Sequence, residues 1–126
     1  MSDVILNYID VSGTEHEAIA EALIEQGFEY IVPKPPALND HLYDDQVWHK
    51  WCMTNWGTKW DMYDNPRDGF GRGSVFLEDK TRIKFFTANS SPWRIMEKLR
   101  LVFPKNTFKL VYKNMDEANA SFREVL

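Results

Sequence analysis

Between Val47 and Asp61 the chain reads Val-Trp-His-Lys-Trp-Cys-Met-Thr-Asn-Trp-Gly-Thr-Lys-Trp-Asp, which holds four of its five tryptophans. An indole is a large apolar body with one N–H that needs a partner, so it serves cores and interfaces alike. A chain that concentrates this bulk in one segment must either fold its other elements around it or present it to a partner. Asp44 or Asp45 can cap a helix running to about Asn55, with Gly57 as its C-terminal stop. On that helix Trp48, Cys52 and Trp56 share one side at i, i+4 spacing. Val47 and Trp51 lie beside them, and His49, Lys50 and Met53 face outward. Trp56 and Trp60 are expected in the core, with Gly57 shaping the turn between them. Trp48, Trp51 and Trp93 are the expected part-exposed anchors, joined by Phe70 on a glycine-flanked loop.

The remaining elements follow from periodicity and punctuation. Val4 to Val11 is β-rich and ends at Ser12-Gly13, which predicts a strand. Thr14 to Gln26 predicts a helix, with Thr14 as N-cap and Glu17 completing a capping box. Its buried stripe is Ile19, Ala22 and Leu23 with Ala18, and Gly27 stops it. Pro33-Lys34-Pro35-Pro36 forbids helix and central strand and predicts an extended connector. Trp60 to Tyr63 predicts a short strand. Ser74 to Glu78 and Thr81 to Ala88 predict two more, the second with Ile83 and Phe85 packed and Arg82, Lys84 and Phe86 partly wet. Ser91-Pro92 is a helix start, and the helix Pro92 to Val102 buries Ile95, Leu99 and Val102 or Phe103. Thr107 to Lys113 alternates Phe108, Leu110 and Tyr112 against Lys109, Val111 and Lys113, a final strand. Asp116 opens a short helix in the tail.

The order β-α-(insert)-β-β-α-β predicts an α+β sandwich, an antiparallel sheet with two main helices plus the inserted Trp-rich helix. A ferredoxin-like split βαβ arrangement fits this order. At 126 residues and 44% hydrophobic, the chain suits one domain over 1–126, with the insertion at about 28–60.

Charge excludes some roles and suggests others. Residues 1–79 hold 15 acidic and 5 basic residues, and residues 80–126 hold 4 and 10, for a net of −4. The split gives a dipole that steers a partner if it maps onto faces, and cancels if the fold interleaves the halves. No run approaches the roughly 18–20 apolar residues that span a bilayer. The N-terminus lacks a basic and apolar leader, and Cys52 is the only cysteine. These features predict a protein of a reducing cytoplasm, without membrane association.

Several residues together carry a family resemblance. They are the apolar strand ending near Gly13, Phe28 to Pro36 leading to Leu38, and above all Trp56-Gly57-Thr58-Lys59-Trp60-Asp61. Phe86-Thr87-Ala88, Ser91-Pro92, Leu99 to Phe103-Pro104 and Tyr112 in the closing strand complete the set. The chain resembles the YubB ferredoxin-like family of plasmids, prophages and phages. Where that family carries a Trp after the Thr-Ala pair, this chain has Asn89. The resemblance implies a ferredoxin-like fold, a mobile-element origin and a bacterial host cytoplasm. It implies no catalytic residues.

Candidate chemistry is thin. Asp40, His41, Asp44, Asp45 and His49 cluster, and Asp45 and His49 at i, i+4 can face one ion. No familiar zinc spacing appears, and helix capping with exposed histidines accounts for them. Cys52 and His49 at i, i+3 suggest a thiolate, but Cys52 shares the Trp stripe and reads as a buried hydrophobe. Asp61, Asp64 and Asp68 do not match a calcium loop. Gly69, Gly71 and Gly73 lack the Lys-Ser/Thr that follows a phosphate loop. We therefore expect no enzyme, no metal and no cofactor.

Two binding readings remain. The first is a small non-enzymatic phage or mobile-element protein that binds and modulates a host protein, such as a defence or nucleic-acid-processing factor, through exposed aromatics. A homodimer through the Trp region is a variant of it. The alternative is RNA or single-stranded DNA bound on the sheet. There Tyr63, Phe86 and Tyr112 would stack bases, and Arg82, Lys84, Lys109 and Lys113 would meet phosphates. A sheet whose second face is covered by the Trp helix would exclude the alternative.

Overall fold

The computed structural model describes residues 3–35, 45–59, 61–62, 76–79 and 82–125. Strand β1 (Val4–Ser12) leads into helix α1 (His16–Gln26) and a 3-10 turn (Gly27–Tyr30), followed by helix α2 (Asp45–Asn55). Strands β2 (Phe76–Asp79) and β3 (Arg82–Ala88) precede helix α3 (Trp93–Val102), strand β4 (Thr107–Asn114) and a short strand β5 (Arg123–Val125). The sheet has five strands in the order β2-β3-β1-β4-β5, and every neighbouring pair is antiparallel. The fold is α+β, with three α-helices among the described residues.

Strict alternation decides which side of the sheet is core. Along β1, Ile5, Asn7, Ile9 and Val11 are buried and their neighbours are half-exposed. Ile83, Phe85 and Thr87 of β3 and Phe108 and Leu110 of β4 are buried with them. All three helices add to this one core: Ile19, Ala20 and Leu23 from α1, Cys52 from α2, and Ile95, Met96 and Leu99 from α3. Phe28 links the layers, edge-on to Phe85 at 5.9 Å and to Trp56 at 5.7 Å. The Trp helix thus lies on the same side as α1 and α3. It does not cover the second face of the sheet.

Several local expectations are corrected. Helix α1 starts at His16, and its N-cap position, Glu15, makes no side-chain cap. Asn106, from the loop before β4, accepts the Glu15 N–H at 3.1 Å instead, so the cap comes from a distant residue rather than from Thr14. In the buried stripe Ala20 replaces Ala18, which is exposed. Pro92, not Ser91, holds the N-cap position of α3, and the Ser91 carbonyl accepts the Trp93 N–H at 2.9 Å. Val102 is open, whereas Phe103 stacks on Tyr30 at 6.2 Å. Asp61 and Met62 are not in a strand, and Trp60 and Tyr63 lie outside the described residues. The tail forms turns and then β5 where a helix was expected.

The Trp-Gly-Thr-Lys run fastens the inserted helix to the rest of the molecule. Trp56 is buried and donates from Nε1 to the Val32 carbonyl at 2.9 Å. Gly57 has φ +83, and its N–H bonds back to the Cys52 carbonyl at 3.1 Å, closing the helix in the left-handed manner glycine allows. A Cβ there would lie 2.8 Å from Trp93 Cδ1, so the turn also seats the α3 indole. The Thr58 hydroxyl and the Lys59 N–H both donate to the Ala88 carbonyl, at 2.7 and 3.2 Å.

Candidate functional site

The face of the sheet turned away from the helices is ordered by register into three rows. Asp10 lies between Arg82 and Lys109, Tyr8 between Lys84 and Val111, and Leu6 between Phe86 and Lys113. Directly paired residues on antiparallel strands project to the same side, so these nine share one surface. Leu6, Tyr8, Phe86 and Val111 are half-buried and form its apolar middle. Phe122 from the tail packs on Tyr8 at 5.8 Å and is itself about half exposed, at 49%. Among the described residues, no helix packs on this face.

Its electrostatics are cationic. Arg82 makes a bidentate pair with Asp10, at 2.7 Å from Nε and 3.0 Å from Nη2, and its guanidinium lies 5.2 Å from the Tyr8 ring centroid. That pair neutralises Asp10. Lys84, Lys109 and Lys113 remain as the positive rim, and Lys113 Nζ is 5.8 Å from the Phe122 ring centroid. Glu124, opposite Val111, and Asp79, opposite Arg82, are further acids in register with these rows. Meanwhile Glu17, Glu21 and Glu25 line α1, on the opposite layer. The charge split of the sequence maps onto faces only in part, since Arg94, Lys98 and Arg100 lie on α3 in the helical layer.

The aromatic anchors expected from sequence do not gather here. Trp48 and Trp51 are half-buried against the core. Trp51 meets Trp56 edge-on at 5.2 Å, and Lys34 Nζ lies 5.4 Å from the Trp48 ring centroid. Trp93 opens α3 with 39% of its surface exposed, capped on one side by the Arg94 guanidinium at 4.2 Å. All three belong to the helical layer, remote in topology from Arg82 and Lys84. Phe70 and Trp60 lie outside the described residues. Tyr112 is corrected: it pairs with Asn7 and so faces the helices, not the open side. Tyr8 and Phe122 were missed. Tyr8 was legible from its alternation with Asn7 and Ile9, whereas nothing in the tail sequence marks Phe122.

Other candidate chemistry meets structural roles. Cys52 is fully buried, and burial pushes its thiol up to about 12, so it is a neutral packing group at neutral pH. His49 is turned sideways rather than outward, its Nδ1 3.3 Å from the Lys59 carbonyl oxygen, and Met53 is half-buried beside the Ser90 hydroxyl. The Asp61 carboxylate accepts the Phe28 and Met62 N–H groups at 2.9 and 2.8 Å. Among the described residues no three His, Cys, Asp or Glu side chains gather as a metal site. Asp40, His41, Asp44, Asp64, Asp68 and the three loop glycines lie outside them, as does the Asp45 side chain. No helix of the described residues is long and apolar enough to cross a membrane.

On the helical side, Val47, Lys50, Trp51, Thr54 and Asn55 line a shallow depression of about 420 Å³. Leu101, 75% exposed, borders the adjoining groove with Val32 and Arg94. No family model matches this chain, and no curated protein or solved structure does.

Proposed function

We propose that this protein is a non-enzymatic nucleic-acid-binding protein that lays a single strand across the outer face of its sheet. The observation that carries this reading is the three-row register, which sets Lys84, Lys109 and Lys113 around Leu6, Tyr8 and Phe86. Aromatic groups on a sheet offer stacking to any base, and a rim of lysines offers charge to the backbone between bases. The strand order β2-β3-β1-β4, antiparallel throughout, supports a ferredoxin-like reading of the α+β fold, with β5 as an addition. The resemblance to the YubB family, with its mobile-element origin and bacterial cytoplasmic setting, belongs to the same proposal.

A second reading has its own support. The depression beside Trp51 and the exposed Leu101 offer apolar surface on the helical side. A host protein bound there would be modulated by a protein–protein contact independent of the sheet.

The test is fluorescence anisotropy of a labelled oligonucleotide of about 12 bases, single-stranded or duplex. The proposal expects saturable single-strand binding that weakens steeply with salt and prefers the single strand. Absence of binding at low salt, together with a protein partner recovered after nuclease treatment, would replace it with the second reading.

A further inference from the structure

On the helix side of the sheet, where β1 begins and β4 ends, a pocket of about 370 Å³ lies beside the start of α3. We propose that it is a nucleobase site, separate from the outer face and built on different residues. Its volume is at the small end of the range for bound small molecules. Two flat aromatic side chains, Trp93 and Tyr112, line it. Arg123 and Glu117 supply one charge of each sign, so the pocket selects neither anion nor cation but offers both a donor and an acceptor. Asn89 adds an amide, which is again both, and its backbone is held at φ +76. Left-handed backbone outside glycine is uncommon, and such positions cluster at ligand sites. The Asn114 amide is already engaged with Asp3 and with the Asp116 N–H, so it only shapes the wall.

A buried acceptor lies beside this pocket. Asn7 is fully buried, and its amide nitrogen is fixed by the Ile5 carbonyl at 3.1 Å and the Thr87 hydroxyl at 2.9 Å. Its Oδ1 has no hydrogen-bond partner among the described residues. Asn7 is two residues from Ile5 on the same side of β1 and directly opposite Tyr112, and both of these line the pocket. An orphaned buried carbonyl is costly, but this one is shut off behind the wall formed by Ile5 and Tyr112 and is not a contact for a ligand in the pocket. A planar ring with donors and acceptors on its edge and stacking faces matches the pocket lining of Trp93, Tyr112, Arg123, Glu117 and Asn89. A nucleobase is that ligand, either of a free nucleotide or turned out of a bound strand.

The experiment follows the five tryptophan indole N–H signals by two-dimensional NMR, with Trp93 assigned from Trp93→Phe. Adenosine, guanosine, cytidine and uridine monophosphates are titrated, and ribose 5-phosphate serves as the probe lacking a base. The expected result is a saturable Trp93 shift with at least one mononucleotide, none with ribose 5-phosphate, and binding weakened about tenfold in Arg123→Gln. A Trp93 signal unmoved at about 10 mM nucleotide, or moved equally by ribose 5-phosphate, overturns the proposal. A second arm adds an oligonucleotide of about 12 bases. A Trp93 shift there assigns the base to the strand, and a shift confined to mononucleotides assigns it to a free nucleotide. Salt-dependent anisotropy on the unaltered protein reports the outer face separately, so either reading can fail alone.

Discussion

The cationic rim of the sheet gives a quantitative expectation for salt. Each phosphate neutralised on a single strand contributes about −0.7 to the slope of log affinity against log salt. Three lysines, Lys84, Lys109 and Lys113, are available, while Arg82 is held by Asp10 at 2.7 and 3.0 Å. The expected slope is therefore about −2.1, or roughly 18-fold weaker binding at 200 mM than at 50 mM salt. Lys109→Gln removes one contact and should leave a slope of about −1.4 and a loss of about 7-fold over the same range. Asp10→Asn works the other way. It removes a carboxylate from the face, and the slope should steepen, by at most one further phosphate contact, towards about −2.8. The ion pair is half exposed, so breaking it should cost less than about 1 kcal/mol of stability.

Anisotropy titrations at four salt concentrations measure all three slopes. Phe122→Ala is the control for stacking. It should cut affinity by about 1–3 kcal/mol, the range for one base on an aromatic ring, without changing the slope. A slope near zero, or Asp10→Asn and Lys109→Gln that move it the same way, would refute the assignment of the strand to this face.

Further predictions concern the scaffold. Gly57→Ala should destabilise by about 1–3 kcal/mol in urea, because φ is +83 and the new Cβ meets Trp93 at 2.8 Å; a loss under about 0.5 kcal/mol would show the turn to be slack. Asn106→Ala should cost about 1 kcal/mol by removing the cap of α1, whereas Thr14→Ala should stay within about 0.5 kcal/mol, and reversed effects would restore the local cap. Cys52 should resist thiol reagents in the folded state. Its folded pKa of about 12 exceeds the ordinary 9.0, so the unfolded chain loses this proton first as pH rises. The group's contribution is thus intact below pH 9 and declines above it by up to about 1.4 kcal/mol per pH unit. Urea melts of Cys52→Ala beside the unaltered protein at pH 7.5 and 9.5 isolate it, and a gap between them that does not narrow would contradict the burial.

The fold was legible in the sequence where the pattern is strictly periodic. Val4 to Val11 became a strand as expected, and Ile83 with Phe85 and Phe108 with Leu110 alternate cleanly in strands that bury them. Helix ends were less legible, because their satisfaction is not local. The cap of α1 comes from Asn106, 91 residues away, which no window around Thr14 can contain. Strand β5 was missed for a related reason. Arg123 to Val125 carries no apolar alternation, and its hydrogen bonds come from the edge of β4.

The site was half legible, and the division has a physical cause. Alternation within one strand says which residues share a side, but not which side is open, since that depends on pairing with the others. Lys84 and Lys109 alternate with buried neighbours, and the face they share with Arg82 and Lys113 follows once β1 is placed between β3 and β4. The same parity puts Tyr112 with Phe108 and Leu110, and it belongs to the helix-side pocket instead. The tryptophans were legible in burial, with Trp56 in the core and Trp48, Trp51 and Trp93 part exposed. Trp51 packs on Trp56, Trp56 on Phe28, and Gly57 against Trp93, so the cluster is a wedge that fixes α2 and the start of α3 to one core. On the proposed reading, substitutions on the outer strands, which present lysines and smaller aromatics outside that wedge, should separate function from folding.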